Sequence, residues 1–156
     1  MKRPKKSNIS SKSFDTEDVT YVDETAEAAL RLLGLEPSAS AEQKMTKITK
    51  VIDEYLYGKE KKDEAAVLDL ASQLACLYGN ILRDEVGWEW RIVSADGDEF
   101  LGIGPADKSV MLAPVAYIHS QLTAPGSGDN TSMLLFNMIK GGTIPKGKAD
   151  EYVSIG

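Results

Sequence analysis

Cysteine and histidine are nearly missing from this chain, which has one of each, Cys76 and His119, in 156 residues. A single cysteine excludes an intrachain disulfide. One cysteine with one histidine also cannot supply the four ligands of a structural zinc site, so no metal and no cofactor is expected. No run of 18 apolar residues occurs, and the opening MKRPKKSNISSKSF has basic residues with no apolar stretch behind them. The sequence therefore shows neither a membrane span nor a secretory leader, and the expectation is a soluble, cytoplasmic protein in which the sequons at Asn8 and Asn130 carry no meaning.

Basic charge is scarce once the first residues are set aside. Residues 1 to 13 hold five cations and no acid, which leaves 13 cations against 24 acids in the rest, a net of −11. Such a body repels nucleic acid phosphate and favours a basic partner. The basic arm lacks the apolar residues a membrane anchor needs, so residues 1–20 read as a disordered tail. A single domain is expected over 21–142, because two domains would each be marginal at this length, and 143–156 reads as a polar C-terminal tail.

Helical signals dominate the first half. VDETAEAALRLLGL reads as a helix capped by Asp23 and stopped by Gly34. SASAEQKMTKITKVIDEYLYG opens with a capping box, Ser40 with Gln43, and its apolar residues Met45, Ile48, Val51, Ile52, Tyr55 and Leu56 cover an arc of roughly 140°. From about Asp63 to Asp84 the apolar residues cover half the circumference, leaving a polar stripe of Asp69, Gln73, Asn80 and Arg83. This is the expected central helix. Gly79 lies inside it at a cost of about 1 kcal/mol relative to alanine, which points to close approach of another backbone from the sheet.

The period then changes from 3.6 to 2. Trp88, Trp90 and Ile92 alternate with Glu89, Arg91 and Val93, Asp96-Gly97 supplies a type I′ turn, and EFLGIG returns as a second strand. After PADKS, Val110 to Ala113 form a third strand. Pro114 opens the helix VAYIHSQL, TAPGSGDNTS reads as a flexible loop, and MLLFNMIK is a last helix ending at Gly141 and Gly142. The expected fold class is α+β: N-terminal helices, a three-stranded antiparallel β-meander, then C-terminal helices.

Catalytic motifs fare poorly. GTIPKGKA, Gly142 to Ala149, follows the phosphate-loop pattern through its lysine, but it has alanine where a hydroxyl should hold magnesium and it follows a helix where a strand is needed. GIGPAD has Asp107 where the third glycine of a dinucleotide fingerprint belongs, and DGDE is too short for an EF-hand loop. His119 lies at the edge of an apolar helix face, and no cue brings Cys76 near it; the pair reads as partly exposed and unrelated. The tryptophans read as core residues of a half-buried strand.

One charge feature survives. Between Asp84 and Asp107 seven acids face one cation, Arg91, a net of −6 in 24 residues. The outward members, Glu89, Asp96, Asp98 and Glu99, are the candidate partner-binding residues.

The layout from about Ala71 to Met138 also resembles a bacterial family of small uncharacterised domains, domain of unknown function 3806. The likeness is carried by Gly79, Leu82, Gly87, the segment Trp88 to Arg91, and Pro114 with the helix after it. It implies an α+β bacterial domain and transfers no catalytic residue. Taken together, these readings point to a non-enzymatic acidic binding protein, in concrete form an immunity protein that neutralises a basic toxin. The alternatives are a hydrolase using carboxylates beside His119, and a homo-oligomer joined through the sheet edge.

Overall fold

The computed structural model describes residues 8–124, 128–145 and 147–156. Its elements run β1 (Ile9–Ser13), α1 (Thr16–Leu33), α2 (Ala41–Tyr57), α3 (Glu64–Val86), β2 (Glu89–Ala95), β3 (Asp98–Gly104), β4 (Val110–Leu112), α4 (Pro114–Thr123), α5 (Ser132–Gly141) and β5 (Val153–Ile155). The class is α+β. The sheet, however, has five strands in the order β1-β2-β3-β4-β5, antiparallel except for the parallel pair β4 and β5. This corrects the three-stranded meander: a strand is added at each edge, from segments that read as tails. Of the basic arm, Ile9–Ser13 is β1 and α1 begins at Thr16, while residues 1–7 lie outside the described residues.

The cap of helix α1 is Asp15, eight residues before Asp23. Asp15 accepts from the Asp18 amide at 2.9 Å and Asp18 accepts from the Asp15 amide at 3.0 Å, a reciprocal cap that satisfies two N–H groups with no helical acceptor. Asp23 is thereby mid-helix and free to take a tertiary role. In α2 the Ser40–Gln43 capping box is present as the spacing predicts. Its Met45, Ile48 and Ile52 are fully buried, while Val51, Tyr55 and Leu56 are half-buried.

The central helix is α3, capped by Asp63 and closed by Gly87 in the left-handed conformation. It has the length and hydropathy of a membrane span, but 61% of that apolar window is buried inside the fold. Its core residues Leu74, Tyr78 and Leu82 pack with Ile103, Leu112 and Ile118. Asn80 departs from the expected polar stripe and is buried. Gly79 answers the close approach its position implies, though the visitor is a side chain: a Cβ added there would overlap the indole atoms Cζ2 and Cη2 of Trp90.

Helices cover one face of the sheet, where Trp90, Ile103, Val110 and Leu112 join the main core. On the other face Val93 and Met111 are buried around Gly102, whose missing Cβ leaves room for both. Four strand spacings would separate the two edges of a flat sheet by about 19 Å. Yet the Tyr152 hydroxyl, just before β5, lies 2.8 Å from Ser11 Oγ of β1. The sheet therefore curls toward this face, bringing its two edges within reach of one tyrosine side chain.

The second half of the α4–α5 loop is tied down, contrary to its composition. Asn130 Nδ2 donates to the Thr49 carbonyl at 3.1 Å and to Asp53 Oδ1 at 3.2 Å, and Asn130 Oδ1 accepts from the Ser132 amide at 3.0 Å. Buried Tyr78 donates to the Ser132 carbonyl at 2.9 Å. Residues 125–127 lie outside the described residues.

Candidate functional site

The β2–β3 hairpin is built as the sequence demands. Ala95 pairs with Asp98, so Asp96 and Gly97 are the two loop residues, and both have positive φ, 52° and 90°. This is the type I′ geometry that lets a two-residue turn follow the strand twist. Glu89, Asp96, Asp98 and Glu99 are all exposed, and no hydrogen bond or ion pair engages their carboxylates among the described residues.

The four acids do not form one face, however. Strand alternation puts Glu89 and Asp98 on the side of Val93, and Glu99 on the side of Trp90. Asp96, Asp98 and Glu99 gather around the turn, while Glu89 stands six residues back along β2, about 20 Å away. The expectation of one outward acidic set is thus corrected to a tip cluster and a separate acid at the base. Arg91, the cation within this stretch, does not offset them. Its Nε donates to Ser11 Oγ at 2.6 Å and its Nη2 to the Ser11 carbonyl at 3.3 Å, which pins β1 to β2.

Glu89 has different company, which the sequence did not reveal. It lines a cleft of about 250 Å³ between the start of α1, the end of α3 and the start of β2. Phe14, Val19, Val22, Trp88 and Trp90 form its apolar walls; Asp23 and Arg83 form its polar side. Phe14 stacks on Trp90 with ring centres 5.6 Å apart and 18° between planes. The Trp90 indole N–H donates to Asn80 Oδ1 at 3.0 Å, and Asn80 Nδ2 donates to Asp23 Oδ1 at 3.2 Å. Arg83 donates from Nε to Asp84 at 2.9 Å and from Nη1 to Asp23 at 3.5 Å. Its hydrogen bond to Asp84 holds the guanidinium pKa above the usual value. The missed signal was Asp23: read as the cap of its helix, it lies instead in the middle of α1, where its carboxylate meets Asn80 and Arg83 of α3.

Cys76 and His119, the thiol and imidazole weighed for nucleophilic chemistry, are not joined by any hydrogen bond among the described residues. Cys76 is fully buried, which corrects its expected partial exposure, and burial pushes its thiol up to about 12, far from a working nucleophile. His119 is half-buried on α4, and no hydrogen bond or ion pair engages its imidazole among the described residues. No grouping of three or more metal-binding side chains occurs among the described residues. Within GTIPKGKA, Gly147 packs against the Ser109 carbonyl and Lys146 lies outside the described residues.

Compared with known protein families, curated proteins and solved structures, the chain matches none. The residues that carried the resemblance to domain of unknown function 3806 have structural work here: Gly79 receives Trp90, Leu82 is buried, Gly87 closes α3 and Pro114 opens α4.

Proposed function

We propose that this chain is a non-enzymatic binding protein that presents the β2–β3 hairpin to a basic protein partner. The observation that carries the reading is a hairpin bearing four exposed acids whose own cation, Arg91, is committed to Ser11. Unpaired acids held on a rigid two-stranded support attract a cationic surface at long range and raise its capture rate. The 20 Å between tip and base fits within a standard interface footprint of about 800 Å² per partner. The concrete form of this function is that of a cytoplasmic immunity protein, holding a basic toxin such as a nuclease.

The test is association kinetics with a partner recovered by copurification from the native host. The variant combines Asp96→Asn, Asp98→Lys and Glu99→Lys; asparagine at 96 tolerates the positive φ of the turn and removes only the charge. The expected result is an association rate lowered about tenfold at low salt, with a flatter salt dependence and an unchanged fold. Unchanged kinetics, or a partner without a basic surface, would remove the hairpin from the reading.

A further inference from the structure

We infer that the cavity at the open seam between β1 and β5 is the docking site of this chain's own first seven residues, a basic segment received by the acids around that seam. Residues 1–7 lie outside the described residues, so the inference rests on where they join the fold and on what surrounds that point. The curled sheet leaves a cavity of about 720 Å³ there, walled on the β1 side by Ile9 and on the other by Lys148, Asp150, Glu151, Tyr152 and Ser154. Its size lies within the range of binding pockets.

Strand register fixes the point of entry. Ile9 pairs with Ala95 and Ala95 with Asp98, so the three share one row and one face of the sheet, and Asp98 stands two strand spacings, about 10 Å, from Ile9. The chain before Ile9 therefore enters beside the hairpin tip, with Asp96 and Asp98 on one flank and Asp150 and Glu151 on the other. Asp150 meets Lys108 at 3.6 Å yet its side chain stays 72% exposed, and Glu151 is exposed while it accepts from the Lys148 amide. Four acids thus stand against two cations, Lys108 and Lys148. Residues 1–7 bring Lys2, Arg3, Lys5 and Lys6 and no acid. Lys6 is three residues from Ile9, about 10 Å of extended chain, which puts both flanks within its reach. Charge alone would admit any basic segment; the covalent link selects this one, because a segment joined so close to its site is present at a local concentration in the millimolar range. Docked there, it competes with a basic partner for the tip acids. That consequence rests on the hairpin reading, whereas the docking itself does not.

Backbone nitrogen relaxation of the full chain reads the segment directly, through the order parameters of the Lys5 and Lys6 amides. At low salt they are expected at about 0.8, close to rigid backbone, and at 1 M salt, where the screening length is about 3 Å, below about 0.6. Asp150→Asn combined with Glu151→Gln is expected to bring the same loss at low salt. Asparagine suits the positive φ of 61° at position 150, and glutamine keeps an oxygen that can accept from the Lys148 amide. Glu60→Gln, which removes an exposed acid between α2 and α3, is expected to change nothing. Mobile Lys5 and Lys6 amides in the wild type at low salt would overturn the assignment. So would order that survives both salt and the double variant, or an equal loss with Glu60→Gln. Order lost on about tenfold dilution would place the segment on a second copy and overturn it as well. No partner is present in the measurement, so failure here leaves the charge-reversal result standing, and failure there leaves the docked segment standing.

Discussion

Gly79 shows how one missing methyl group organises the contact between helix and sheet. In isolation, glycine inside a helix costs about 1 kcal/mol against alanine, so Gly79→Ala would stabilise α3 on propensity alone. Here the Trp90 ring occupies the space a Cβ would take, and Trp90 is held there by Phe14 on one side and by its hydrogen bond to Asn80. Overpacking a rigid core contact costs about 1–3 kcal/mol. The overlap outweighs the propensity gain, and Gly79→Ala is expected to destabilise the fold by about 1–2 kcal/mol with a changed near-ultraviolet tryptophan signal. Urea denaturation checks this; a more stable Gly79→Ala would mean that the ring moves aside freely. The residue was legible as a close approach because glycine in a long apolar helix is anomalous. Its partner was not legible, since nothing in the spacing of 79 and 90 states which face of β2 the indole takes.

Among the elements, those stabilised by local signals were readable and those stabilised by distant partners were not. The Ser40–Gln43 cap, the Asp96-Gly97 turn and Pro114 at the start of α4 each act within a few residues, so their sequence is sufficient. ISSKS has neither an apolar alternation nor a turn beside it, and it becomes β1 because Arg91, some 80 residues on, bonds Ser11. The strand VSI is short and parallel to β4, and the segment before it is set by backbone bonds from Asp150 to Asp107 and from Tyr152 to Lys108. The candidate site was readable only as charge. Its division into tip and base follows from strand parity, and the cleft follows from three elements meeting. If the curl of the sheet depends on the Tyr152–Ser11 bond, Tyr152→Phe should cost about 1 kcal/mol and loosen the edge selectively. Hydrogen exchange should then quicken at the β1 amides paired with β2 while those of α2 stay unchanged; uniform acceleration would show a general loss of stability instead.

For the whole molecule, the buried thiol and phenols set the alkaline limit. Burial raises Cys76 from 9.0 to about 12, and it also raises Tyr78 and Tyr117 above their ordinary value of 10.0. For each group the unfolded chain loses its proton first as pH rises, so between the two values the unfolded state binds fewer protons and stability falls. The contribution is fully present below about pH 9, declines from there for Cys76, and declines further from about pH 10 as the tyrosines join it. One such proton corresponds to about 1.4 kcal/mol per pH unit. At the acid end Asp15 acts in the opposite sense, because its bond from the Asp18 amide lowers its pKa and the cap weakens as pH falls through that lowered value. Urea midpoints measured from pH 7 to 10.5 should therefore be level up to about 9 and then drop, and Cys76→Ala should postpone the drop toward pH 10 although it starts from a less stable fold. A wild-type curve that stays level through pH 10.5 would mean that the interior around Cys76 admits water and that α3 is not the sealed centre of the core.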